Sequence, residues 1–116
     1  WATWCLPCLH EIPVLLQVTQ QLAPRGVVLI GVAMDEPQAL AQVEPFRKKH
    51  FPGFATGLRA DADMDKLASV VDPTWNEILP TTYILGRDGK LRTKIQGARS
   101  AAQFRATIEA ALRAGP

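Results

Sequence analysis

Trp1-Ala2-Thr3-Trp4-Cys5-Leu6-Pro7-Cys8 carries both cysteines of the chain, spaced C-x-x-C, directly ahead of an amphipathic apolar run. Two cysteines three apart at a helix start can close a small disulfide ring, and the first can act as a nucleophile. The positive end of the helix and its unpaired N–H groups favour a thiolate there. Pro7 suits an early helical turn, where its missing N–H has no intrahelical partner to lose. Trp4 adds an apolar flank without closing off the sulfur.

Rival readings of the pair are weaker on spacing or energy. A zinc site needs four ligands, and no second C-x-x-C exists. A c-type haem attachment needs histidine directly after the second cysteine, but Leu9 intervenes before His10. A purely structural bridge this short closes little loop entropy. Redox chemistry is the preferred reading, with no metal and no cofactor required.

Working outward, residues 5–23 read as a helix with Leu9, Ile12, Leu16 and a position near Thr19 on its core face. Pro13 should kink it, and Pro24 and Gly26 should end it. Val27 to Met34 is an apolar run with little alternation, as in a buried parallel strand. A second helical segment follows, with Leu40, Val43 and Phe46 inward; either it is kinked at Pro45 or a short helix starts there. Asp61, Asp63 and Asp65 lack the glycine and terminal glutamate of a calcium loop and read as a polar turn before a short helix over 65–71. Asp72 to Ile78 is a loop. Thr81 to Leu85 and Leu91 to Ile95 form two strands around the Asp88-Gly89 turn. Ser100 and Gln103 form a capping box for a last helix with Phe104, Ile108, Ala111 and Leu112 on its core face, and Gly115-Pro116 stops it.

The segment W-A-T-W-C-L-P-C resembles the active-site segment of the thioredoxin superfamily, above all its TlpA/ResA/CcmG-like branch of extracytoplasmic thiol–disulfide oxidoreductases. Leu79-Pro80-Thr81-Thr82-Tyr83-Ile84-Leu85, followed by Gly86-Arg87-Asp88-Gly89-Lys90, matches the same branch. The resemblance implies a thioredoxin-like three-layer α/β/α sandwich with a mixed central sheet. A strand should feed the cysteine helix; none precedes Trp1, so residues 1–116 read as a single domain that is N-terminally incomplete. The resemblance further implies a cis Leu79–Pro80 bond facing the cysteines, with Pro80 and Thr81 supporting the site beside Trp4 and Pro7.

In the mechanism so implied, Cys5 is the nucleophile, more exposed and more acidic, and Cys8 is the more covered resolving thiol. Glu11, three residues after Cys8, falls on the same helical face. It is either a solvent-exposed glutamate favoured by the helix dipole or a carboxylate that relays a proton to Cys8. Such a carboxylate opposes thiolate formation, so no direction for the Cys5 pKa follows. Trp75 reads as a core cover more than as a lining of the approach to the disulfide, and His10 as a surface residue.

Composition limits the alternatives. At 116 residues, 47% apolar and 21% charged, the chain can build one core. A net charge of +2 with scattered basic residues gives no nucleic-acid footprint, and no stretch reaches the roughly 18 apolar residues of a membrane span. The resemblance implies protein thiols or disulfides and an upstream redox donor as partners, with a membrane anchor possible ahead of Trp1. The resemblance favours a periplasmic or otherwise extracytoplasmic reductase, with cytochrome c maturation as one setting. The alternatives are a thiol peroxidase of related fold, for which Thr3 lies two residues before Cys5, and a noncatalytic copper carrier using the cysteines with His10 or His50.

Overall fold

The computed structural model describes residues 1–58, 72 and 74–114. Helix α1 (Leu6–Leu22) is followed by a 3₁₀ turn (Ala23–Arg25) that ends at Gly26, whose φ of 91° suits a residue without Cβ. Strand β1 (Gly31–Ala33), a 3₁₀ helix (Pro37–Gln42), helix α2 (Val43–His50) and strand β2 (Thr56–Leu58) come next. The hairpin β3 (Thr81–Leu85) and β4 (Leu91–Gln96) leads into α3 (Ala101–Arg113). The anticipated polar turn at Asp61–Asp65, the helix over 65–71 and the stop at Gly115-Pro116 lie outside the described residues.

The described strands form two separate two-stranded ladders. β1 runs parallel to β2, with Gly31 opposite Thr56, and β3 is antiparallel to β4, with Thr81 opposite Gln96. Between the ladders lies an apolar cleft of about 470 Å³ whose walls include Val28, Ile30 and Val32 on one side and Thr81, Tyr83 and Leu85 on the other. The buried parallel strand expected over Val27–Met34 forms only in part, with Gly31, Ala33 and Met34 buried. Only three of its residues pair, and Val28 and Ile30 are 77% and 68% exposed because their side of the chain opens on the cleft. β2 had no signal: a three-residue Thr-Gly-Leu strand is too short to show a period.

The core sits on α1. Its buried positions are Cys8, Glu11, Ile12, Leu15, Val18, Thr19 and Leu22, so the inward stripe is turned away from the anticipated Leu9 and Leu16, which are only partly buried. The cysteine end packs with Trp1, Ala33, Val43, Phe51 and Phe54. Leu15, Val18 and Leu22 instead meet Ile95, Phe104 and Ile108 from β4 and α3. Pro13 leaves α1 continuous, with its ring on the exposed side. Pro45 falls in the first turn of α2, where a proline costs no hydrogen bond, so the helix begins at Val43 and not at the proline. Ser100 and Gln103 form both bonds of the capping box.

Trp1 joins the cysteine segment to the sheet. Its backbone nitrogen donates to the Val32 carbonyl at 3.1 Å, and its carbonyl accepts from Met34 N–H at 2.7 Å. Its ring meets Phe46, Phe51 and Phe54 at centroid distances of 5.6–6.3 Å. The residues ahead of Cys5 thus run alongside β1 before turning into α1.

Candidate redox site

Cys5 is the N-cap of α1, in extended conformation, and its Sγ accepts from the Cys8 N–H at 3.3 Å. Leu6 and Pro7 occupy the first two helical positions, so Pro7 removes no bond. Cys5 and Cys8 are joined in a disulfide, with Cα atoms 5.3 Å apart. Cys5 is 4% exposed and Cys8 1%. Both residues of the oxidised pair are buried. Exposure in the first turn belongs to its neighbours, Trp4 at 66% and Leu6 at 61%.

Glu11 is buried, at 3% exposure, which removes the surface-glutamate reading. Its Oε1 accepts from the Thr82 hydroxyl at 3.3 Å, while Oε2 is buried without a hydrogen-bond partner. Burial pushes its pKa above the usual glutamate value; the Thr82 bond and the Arg99 charge pull it down by less. A carboxyl so placed holds its proton more firmly than a solvated one.

The cleft between the ladders gathers Cys8, Glu11, Pro80, Thr81 and Thr82 on its walls, whereas Trp4 and Pro7 lie outside it on the exposed first turn. The Leu79–Pro80 bond is cis. The loop that carries Pro80 is tied down from both ends. Trp75 Nε1 donates to Thr81 Oγ1 at 3.1 Å, Thr81 Oγ1 donates to the Ile78 carbonyl, and Gln96 Nε2 donates to Asn76 Oδ1 at 2.6 Å. Trp75 is only partly buried and lines the cleft, so it borders the approach as well as covering the core. At the start of the loop, Asp72 accepts from Thr74 N–H and Oγ1, from Tyr83 Oη at 3.0 Å and from Lys94 Nζ at 3.2 Å. The Thr74 bonds foremost hold its carboxyl well below the usual range, and burial with the Asp72 bond pushes Tyr83 up to about 12.

His10 is exposed on α1, and His50 stands at the end of α2 with its ring 4.4 Å from that of Phe46. Among the described residues no group of three or more His, Cys, Asp or Glu side chains is placed to hold a metal, and no helix is long and apolar enough to cross a membrane.

Sequence reading missed two residues. Thr82 reads as an ordinary strand threonine, and nothing local shows that it faces Glu11 across 71 positions. Asp35 reads as a turn residue, yet it is 2% exposed and accepts from Thr3. An apolar strand ending in an aspartate, with a C-x-x-C elsewhere, is the only available hint.

The chain matches the AhpC/TSA family over residues 1–94, most of its length. It belongs to that family. Within it, the chain is similar to the thiol–disulfide oxidoreductase ResA of Bacillus thuringiensis subsp. konkukian, 27% identical over 104 residues, covering 90% of this chain and 56% of that protein. ResA of Geobacillus thermodenitrificans is 27% identical over 109 residues, covering 94% and 58%. The chain thus spans somewhat over half the length of these relatives. A thioredoxin-family thiol:disulfide interchange protein from Chlorobium tepidum TLS superposes with TM-score 0.76 at 28% identity, covering 96% of this chain and 74% of that one. StoA from Bacillus subtilis superposes with TM-score 0.67 at 23% identity, covering 91% and 75%. This AhpC/TSA-family chain has the thioredoxin-like α/β/α architecture with a mixed central sheet and is related to the ResA thiol–disulfide oxidoreductases.

Proposed function

We propose that this chain exchanges disulfides with protein substrates through Cys5 and Cys8, as a reductase acting outside the cytoplasm. The observation that carries the reading is the Cys5–Cys8 disulfide at the N-terminus of α1, with Cys8 lining one cleft with cis Pro80 and the buried Glu11. The resemblance to the TlpA/ResA/CcmG-like branch supports the reducing direction and an extracytoplasmic setting such as cytochrome c maturation.

In the reducing direction the reduced Cys5 thiolate attacks one sulfur of a substrate disulfide. A Cys5–substrate bond forms, the substrate S–S bond breaks, and the second substrate sulfur leaves as a thiolate. Cys8 then attacks Cys5 Sγ, the substrate's remaining sulfur leaves, and the Cys5–Cys8 disulfide seen in the structure results. Two electrons pass to the substrate, and an upstream dithiol must return them. The α1 N-terminus stabilises the Cys5 thiolate, since Cys8 N–H already points at Cys5 Sγ. Glu11 receives the Cys8 proton as Cys8 becomes the attacking thiolate; its raised pKa brings its affinity for that proton closer to the thiol's. Pro80 and the first residues of β3 form the wall that an extended substrate segment meets.

A peroxidase would need Thr3 to serve Cys5, but the Thr3 hydroxyl donates to Asp35. The test of the exchange reading is trapping. Cys8→Ser should accumulate a mixed disulfide between Cys5 and a disulfide-bonded protein substrate, whereas Cys5→Ser should form none. Absence of the Cys8→Ser adduct contradicts the reading.

A further inference from the structure

We propose that Asp35 is a positioning residue for Cys5, acting through Thr3. Asp35 lies two residues past the end of β1 and is 2% exposed. Both of its carboxylate oxygens serve one residue: Oδ1 and Oδ2 accept from Thr3 N–H at 3.1 and 3.3 Å, and Oδ2 also accepts from Thr3 Oγ1 at 2.5 Å. Burying a carboxylate is expensive unless charge-assisted bonds offset the loss of water. The return for that cost is a rigid hold on a residue two positions before the nucleophile.

The hold lies in the turn between two fixed points. Trp1 is fixed to β1 through Val32 and Met34, and Cys5 is the cap of α1. Between them, Ala2 accepts from Cys5 N–H at 3.1 Å to close a turn, and Trp4 at its apex is 66% exposed. The Asp35 clamp fixes the middle of this turn to the end of β1. In the oxidised protein the disulfide itself keeps Cys5 Sγ against the Cys8 N–H. Once the disulfide is reduced, that constraint is gone, and the clamp keeps the sulfur at the helix N-terminus where a thiolate is favoured. The clamp therefore acts selectively on the reduced state. It stabilises the reactive thiolate and makes the disulfide easier to reduce.

This inference rests on the exchange chemistry proposed above, but its test does not require turnover. In the Cys8→Ser background Cys5 is the only thiol, since the chain has two cysteines. Its alkylation by iodoacetamide at pH 7 is followed by mass spectrometry with Asp35, Asp35→Asn, Asp35→Ala, Thr3→Val and Thr3→Ser, each checked for folding by circular dichroism. Asp35→Ala and Asp35→Asn should slow Cys5 alkylation several-fold, Thr3→Val should do so by less because its N–H bonds remain, and Thr3→Ser should restore the wild-type rate. With both cysteines present, Asp35→Asn should make the disulfide harder to reduce by about tenfold in equilibrium constant against glutathione, which is about 30 mV. Asp35→Ala and Thr3→Val combined should do no more than Asp35→Ala alone.

Faster alkylation in Asp35→Asn overturns the proposal, because it means that Asp35 acts as a repelling charge and not as an anchor. Folded Asp35→Asn and Thr3→Val proteins with wild-type rates and potential overturn it as well. If the Asp35 variants fail to fold, Thr3→Val carries the same test alone. A Cys8→Ser protein that alkylates normally at Cys5 but traps no substrate defeats the exchange reading and leaves the Asp35 result standing.

Discussion

Replacing Glu11 by Gln should stabilise the oxidised protein at neutral pH and flatten its stability profile on the acid side. The carboxyl is buried with one hydrogen bond, from Thr82 at 3.3 Å, and one oxygen without a partner. Leaving a buried polar group unsatisfied costs about 1–3 kcal/mol, and a charged group costs more. Gln keeps the shape and an acceptor for Thr82 but stays neutral, so it avoids the extra cost of the charge, about 1 kcal/mol or more at pH 7. Burial raises the folded pKa of Glu11, so above the ordinary glutamate value of about 4.3 the folded state binds more protons than the unfolded chain. Stability is therefore free of this penalty below about pH 4.3 and falls as pH rises through the folded pKa. The assay is urea unfolding of the oxidised proteins at pH 4.5 and 7.0, read at unchanged m. Glu11→Gln should match wild type within experimental error at pH 4.5 and exceed it at pH 7.0. Equal or lower stability at pH 7.0, with the two profiles parallel, refutes the argument.

Three further perturbations test other parts of the structure. The chain has one tyrosine, so an absorbance titration reads Tyr83 alone; its midpoint should lie at about 12 and move down in Asp72→Asn, though not fully to 10 because burial is the larger cause. The same variant should lose less stability than wild type below about pH 4, since the depressed Asp72 pKa contributes stability that is present above the ordinary aspartate value and lost as pH falls. Gly31→Ala puts a Cβ 2.2 Å from Cζ of the buried Phe54 ring, and urea unfolding should show a loss of about 1–3 kcal/mol. Ser100→Ala removes the acceptor for Gln103 N–H, and thermal unfolding should report a loss of about 0.5–2 kcal/mol.

The legible parts of this chain are those whose physics is local. The α3 cap, the β3–β4 turn and the start of α1 depend on residues three or four apart, and each forms where its residues stand. The cis Leu79–Pro80 bond came from family resemblance, since a bare X-Pro pair does not specify its isomer. What could not be read is tertiary. The core stripe of α1 is turned toward Leu15 and Val18 because α3 and β4 meet that side, and no pattern within the helix records where its partners lie. Glu11 illustrates the same limit at the site. Its spacing placed it on the Cys8 face, but whether that face meets water or Thr82 is decided by β3, 71 residues away. Val28 and Ile30 are apolar like buried strand residues, yet they face the cleft between the ladders.

The central claim is that Cys5 and Cys8 form a working dithiol–disulfide couple that runs as a reductant. It is tested most directly by equilibrating the protein with glutathione and dithiothreitol buffers at pH 7 and counting free thiols at each ratio. A reversible two-electron transition is expected, with a potential near the thioredoxin value of about −270 mV. A potential near the strongly oxidising value of about −120 mV contradicts the reducing direction. A pair that never equilibrates with either buffer contradicts the exchange chemistry itself.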